Sequence, residues 1–195
     1  VSLKNIEHYE KAIVSYNKAI ELKPDFAEAH YNLGNIFQKA KMFEEAATSY
    51  RKTIELRPNY VDAHNNLGNT MREVGRDEEA LICYSKVIEL TPDYAESYNN
   101  LGITLKNLKR YNKAISNYKK AIQLRPSYLE AHYNLGNNYG ELGRHEEAIS
   151  SYKRAITIKF MFPEAYTNLG NTYKRFNRIE EAIASYSKAI ELKPD

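Results

Sequence analysis

The chain is expected to be all-α, a solenoid of antiparallel helix pairs, and three observations predict this. AHYNLGN at Ala29 returns as AHNNLGN at Ala63, SYNNLGI at Ser97, AHYNLGN at Ala131 and AYTNLGN at Ala165, each copy 34 residues after the last. A repeat of that length is one supersecondary unit that cannot bury its own apolar face, so copies must stack. Inside a unit, Ala46, Tyr50, Thr53, Ile54 and Leu56 are spaced so that they share one stripe of a helix. Finally, Gly, Ala and Tyr each recur at one fixed place per unit, which marks a repeated packing contact.

The register divides the chain into repeats 27–60, 61–94, 95–128, 129–162 and 163–195. A partial repeat over 1–26 precedes them, read as the end of a first helix plus a second helix, and all form one continuous domain. Counting from Ala27, Val61, Ala95, Leu129 or Pro163, the eighth place is Gly34, Gly68, Gly102, Gly136 and Gly170. The twentieth is Ala46, Ala80, Ala114, Ala148 and Ala182, and the twenty-fourth is Tyr50, Tyr84, Tyr118, Tyr152 and Tyr186.

Each repeat reads as a helical hairpin. A first helix runs around Ala29, Leu33, Ile36 and Phe37, a second carries Ala46 and Tyr50, and links fall at Lys41, Gly75, Lys109, Gly143 and Asn177. Gly inside a helix costs about 1 kcal/mol relative to Ala, so its retention implies that two helix backbones approach closely there. Ala at the twentieth place meets that need from the other helix. Tyr then wedges between hairpins, its hydroxyl reaching water or a backbone group.

Between repeats, Pro follows a helix and a short polar residue precedes an acid by three places: Asp25 with Glu28, Asn59 with Asp62, Asp93 with Glu96 and Ser127 with Glu130. These pairs are read as capping boxes, in which the polar side chain bonds an orphan backbone N–H and the acid reaches back. The link Lys159-Phe160-Met161-Phe162-Pro163 departs from the pattern. Pro163 still suits a first helical turn, because its missing N–H would have no partner there. The three apolar residues before it either pack under the neighbouring link or form an exposed patch.

Composition narrows the function classes. With 195 residues, 43% apolar content and a net charge of +3, the chain falls among soluble folded proteins. Its apolar runs are far shorter than the ~20 residues that span a bilayer, so no membrane segment is expected. A single cysteine, Cys83, and the lack of an Asn-x-Ser/Thr acceptor lean towards a reducing, cytoplasmic setting. Lys52, Lys86, Lys120 and their equivalents form a basic row, but most have an acid three residues on, which reads as surface ion pairs rather than a nucleic-acid site. His30, His64 and His132 lie in different hairpins, too far apart to share a metal ion. No catalytic motif or cofactor-binding loop is present, so neither an enzyme nor a cofactor is expected.

The repeated His or Tyr, Leu-Gly, Ala, Tyr and Pro pattern resembles the tetratricopeptide-repeat family along the whole chain. The resemblance implies a right-handed superhelix with the first helices lining a concave groove. It also implies a protein-protein interaction scaffold that holds an extended peptide or a partner segment there. The groove places carry Asn32, Asn66, Asn100, Asn134 and Asn168 at the sixth position and Asn35, Asn69, Asn137 and Asn171 at the ninth, with Ile103 interrupting. Tyr31 and Tyr133 stand at the fifth.

An amide offers donors and an acceptor together, which suits a peptide backbone irrespective of sequence. The same residues could instead bond between neighbouring hairpins. The acidic row Glu28, Asp62, Glu96, Glu130 and Glu164 could attract a basic peptide, although helix N-termini favour acids anyway.

Chaperone-binding members of the family grip a C-terminal carboxylate with Lys and Arg at the second, fifth and sixth places. Here those places are acidic, Tyr, Thr or Asn, so a peptide ending in a free carboxylate is not expected to bind tightly. The array also resembles the one preceding the catalytic domain of O-linked N-acetylglucosamine transferases. That leaves a substrate-recruiting array of a larger glycosyltransferase as the alternative function. Gly140, at a groove place, either lets a ligand approach or is drift. The apolar end faces suggest weak end-to-end self-association.

Overall fold

The computed structural model describes residues 3–193. Among these, every regular element is an α-helix: α1 Leu3–Leu22, α2 Ala27–Lys39, α3 Phe43–Leu56, α4 Val61–Glu73, α5 Asp77–Leu90, α6 Ala95–Asn107, α7 Tyr111–Leu124, α8 Leu129–Glu141, α9 His145–Ile158, α10 Pro163–Arg175 and α11 Ile179–Leu192. The chain separates into two compact units, Val1–Asp93 and Tyr94–Asp195.

In the first unit α2 pairs with α3 and α4 with α5, α1 packs on α2, and α3 packs on α4. In the second, the pairs are α6 with α7, α8 with α9 and α10 with α11, stacked through α7 on α8 and α9 on α10. First helices also touch one another, α2 with α4 and α6 with α8 with α10, so each unit has one face built from them. The all-α architecture of stacked hairpins is the expected one. Within the stretch 1–26, the described residues form a single helix, α1, from Leu3 to Leu22.

The five links fall where the repeat placed them, and Lys41, Gly75, Lys109, Gly143 and Asn177 all adopt positive φ, between 56° and 74°. That conformation stops the first helix and turns the chain back.

The eighth-place glycine serves a different purpose from the expected backbone approach. A Cβ on Gly34 would meet the Tyr50 ring at 2.7 Å, and Gly102 and Gly136 stand in the same relation to Tyr118 and Tyr152 at 2.6 Å. The missing side chain admits a tyrosine ring from the second helix of the same hairpin. Tyr50, Tyr84 and Tyr118 are consequently fully buried, together with Ala46, Ala80 and Ala114. Burying such a ring removes about 150–250 Å² from water, so one aromatic per repeat carries much of each hairpin's cohesion.

The capping boxes are not formed. The residue at each helix start is Phe26, Tyr60, Tyr94 or Tyr128, and none makes a side-chain cap. The links instead close as backbone turns with Pro at their second position: Phe26 N–H bonds Lys23 O at 3.1 Å, Tyr60 bonds Arg57 at 3.1 Å and Tyr128 bonds Arg125 at 3.0 Å. Proline's fixed φ already favours the turn, so the polar side chains Asp25, Asn59 and Ser127 are left exposed.

His30, His64 and His132 add a second latch, each placing Nε2 within 2.8–3.0 Å of the carbonyl of Pro24, Pro58 or Pro126. A fourth-place histidine thus pins the link before its own helix. No group of three metal-ligating side chains occurs among the described residues, and no described helix is long and apolar enough to cross a membrane.

At the irregular link, Phe162 N–H bonds Phe160 O. Its ring packs 4.9 Å from Tyr133, just as Tyr60 packs 4.9 Å from Tyr31. Phe160 and Met161 remain exposed, with Lys188 of α11 lying over the Phe160 ring.

Candidate functional site

The ring that fills the space at Gly34 also sets the first polar contact on the face of first helices. Tyr50 Oη reaches Asn35 Oδ1 at 2.8 Å. One repeat later, Asn66 donates its Nδ2 to the same oxygen at 3.0 Å and lies 3.2 Å from Tyr31 Oη. The second unit repeats the arrangement: Tyr152 bonds Asn137 Oδ1 at 2.8 Å, and Asn168 bonds that oxygen at 2.9 Å and Tyr133 Oη at 3.0 Å. Tyr84 likewise bonds Asn69, at 2.7 Å, and Tyr186 bonds Asn171, at 2.8 Å.

Burial holds the Tyr50, Tyr84 and Tyr152 hydroxyls above the ordinary phenol range, so they stay protonated donors at neutral pH. A donating hydroxyl requires an acceptor, and the oxygen of the ninth-place Asn supplies it; Tyr50 also lies 2.9 Å from Gln38 Oε1, and in that repeat the Asn66 N–H is the second donor that holds the Asn35 oxygen towards the stack. The amide's NH2 group is then on the other side. The Nδ2 atoms of Asn35, Asn69, Asn137 and Asn171 make no hydrogen bond with the described residues, and none of them is buried. The sixth-place residues are divided similarly, since Asn66 and Asn168 spend an N–H on the stack and keep Oδ1 unspent.

Local substitutions alter the pattern. Ile103 removes the acceptor in its repeat, and Asn134 turns to Asn99 Oδ1 at 3.0 Å instead. Asn32 makes no side-chain hydrogen bond with the described residues, and Asn100 makes none with those of its unit. Tyr31 and Tyr133 are half-buried, each with its ring 6.0 Å from the twenty-fourth-place tyrosine of its own hairpin. The structure therefore joins Tyr31, Asn35 and Asn66 in one network and Tyr133, Asn137 and Asn168 in another, and leaves Asn32 apart.

Two of the acidic row have partners that sequence reasoning missed. Glu28 pairs with Arg57, and Glu96 with Arg125 at 2.5 Å, each tying the first turn of a repeat to the residue just after its second helix. The Glu28 carboxyl sits below the usual carboxylate range, held there first by its own backbone N–H and then by the Arg57 guanidinium. The signal was present as Arg at one fixed place of the link. Thr91 occupies the equivalent place in the repeat of Asp62, which leaves that acid without the same partner.

On the opposite helices the basic row forms the expected i,i+3 pairs, for example Lys52 with Glu55 at 2.7 Å and Lys86 with Glu89 at 2.6 Å. Cys83 is buried, its thiol pushed up to about 11 by burial, so it is not a nucleophile near neutral pH.

Gly140 lines a cavity of about 300 Å³ on the first-helix face of the second unit. Asn137, Asn168 and Asn171 share its lining with Lys106, Glu141 and Arg175.

Stacked helix pairs with Gly-Tyr packing and an asparagine-lined face define a helical-repeat scaffold. Tetratricopeptide-repeat models match residues 27–60, 60–127, 93–159 and 163–195, and a TPR-repeat model matches 7–41. The chain belongs to the tetratricopeptide-repeat family, whose arrays are protein-interaction scaffolds.

Among solved structures, the chain is similar to a crystal structure of MamA, with 30% identity over 83% of this chain and 95% of that one and a TM-score of 0.79. It is also similar to YrrB, described as a TPR protein with an unusual peptide-binding site, at 25% identity over 92% and 93% of the two chains and a TM-score of 0.75. A thermophilic TPR protein of Thermus thermophilus gives 26% identity over 87% and 92%, with a TM-score of 0.68. No curated protein matches the sequence.

Proposed function

We propose that the array holds an extended polypeptide segment along the face of its first helices, gripping the guest's backbone with asparagine amides. One observation carries this reading. The stack uses the Oδ1 of Asn35, Asn69, Asn137 and Asn171, which leaves each NH2 without a partner among the described residues and open to solvent. Within each unit, Asn35 with Asn69 and Asn137 with Asn171 present donors one repeat apart, complemented by the unspent Oδ1 of Asn66 and Asn168. Peptide carbonyls and N–H groups recur in every sequence, so contacts of this kind favour an extended guest over a particular side-chain pattern. The relative YrrB, with its described peptide-binding site, supports the same class of ligand.

The test exploits the asymmetry of the amide. Asn35→Asp, Asn69→Asp and Asn137→Asp together keep the acceptor that Tyr and Asn need and delete the outward donors. Wild-type protein should capture peptides from a random display library, and the triple variant, with its thermal midpoint retained, should capture far fewer at both low and high salt. Equal capture by the folded variant would sink the proposal.

A further inference from the structure

Gly140 stands at the twelfth place of its repeat, where the others carry Gln38, Arg72, Lys106 and Lys174. Nothing in the packing demands the glycine: its φ is not left-handed, and the nearest atom to an added Cβ is Tyr152 Oη, at 3.8 Å. What the missing side chain does is open the cavity on the first-helix face, between Lys106 of α6 and Arg175 of α10.

Neither cation has an ion-pair partner among the described residues. One acid, Glu141, lines the same cavity, so two positive groups face one negative group and an anion is still wanted. The outward NH2 groups of Asn137 and Asn171 add uncharged donors beside them. His145, also in the lining, holds a buried Nδ1 that has no hydrogen-bond partner among the described residues.

An apolar guest side chain would strip water from these donors and give nothing back. A carboxylate would accept from several at once in charge-assisted bonds. We propose that this cavity anchors an Asp or Glu side chain of the guest; the proposal rests on the groove reading and adds a side-chain preference to it. The cations come from the twelfth and thirteenth places of neighbouring repeats, beside a guest passing along the row rather than ending there.

The experiment uses the same random peptide library on wild type, on Gly140→Gln and on the double variant Lys106→Ala/Arg175→Ala. Gly140→Gln restores the side chain that Gln38 has at this place and keeps the cations. Peptides recovered on wild type should share an acid at one position, and both variants should lose that preference while still capturing peptide. For one recovered peptide, acetylated and amidated, changing the acid to its amide should weaken binding to wild type about tenfold and leave binding to Gly140→Gln unchanged.

Capture without any acid preference would overturn the anchor and leave the groove reading standing. No capture at all would overturn both. An affinity that depends on a free C-terminus, and not on the internal acid, would assign the carboxylate to the chain end and overturn the side-chain assignment.

Discussion

The Tyr152 ring occupies the space that a side chain on Gly136 would need, a Cβ there meeting the ring at 2.6 Å. Four residues on, the same helix carries Gly140, where a Cβ would touch nothing closer than 3.8 Å. The two glycines should therefore respond in opposite directions to one change. Gly136→Ala must displace a core ring and is predicted to destabilise by about 1–3 kcal/mol. Gly140→Ala gains helix propensity and is predicted to stabilise by about 0.5–1 kcal/mol. Urea midpoints of the two variants check this, and shifts of the same sign would show that the ring contact does not govern the eighth place.

Asparagines of similar sequence context should differ in the same way. Asn137 accepts from Tyr152 and Asn168, so Asn137→Ala leaves donors unpaired and is predicted to cost about 1–3 kcal/mol. Asn32 makes no side-chain bond with the described residues, and Asn32→Ala should be neutral or stabilising by about 0.5 kcal/mol. Denaturant titration of both variants measures the contrast. Equal losses would remove the argument that the Tyr-Asn-Asn network fixes the amides.

His132 gives stability a pH dependence of known sign. Burial lowers its pKa below the ordinary 6.5, against a weaker opposite effect of its bond to Pro126 O, and Arg154 lowers it further. The folded state therefore binds the proton less readily than the unfolded chain. This contribution is complete above about pH 6.5, declines as pH falls below the unfolded value, and is lost through the lower folded value. His132→Tyr, which places there the residue found at Tyr98 and Tyr166, should flatten the fall between neutral pH and pH 5. An unchanged profile would assign the acid sensitivity elsewhere.

Lys41 and Lys109 hold the left-handed conformation, φ 62° and 57°, that Gly75 and Gly143 supply in other repeats. A side chain in that region costs about 1–2 kcal/mol, partly offset by the greater entropy of an unfolded glycine. Lys109→Gly is predicted to raise the thermal midpoint, and a lower midpoint would show that the lysine side chain makes a compensating contact.

The sequence showed the hairpins and their links clearly, because a 34-residue period repeats each local choice five times. It misled where one residue type suits two jobs. An acid three places after Asp or Asn resembles a cap, yet Glu28 and Glu96 turn to arginines 29 residues away. Glycine at the eighth place suggested neighbouring backbones, whereas the actual neighbour is a ring. Gly140 could be singled out as unusual, but the cations flanking it lie on other helices and were not legible as its neighbours.

Sequence alone thus determined the all-α class, the turning residues and the recurrence of asparagine on the first helices, all of which depend on local periodicity and backbone preference. Only the tertiary structure decided which side of each amide is consumed. That choice depends on Tyr50 or Tyr152 arriving from another helix with a buried donor, and on Asn66 or Asn168 arriving from the next repeat. A side-chain amide can point either way until a neighbour claims its oxygen, and no pattern along a single helix records that claim.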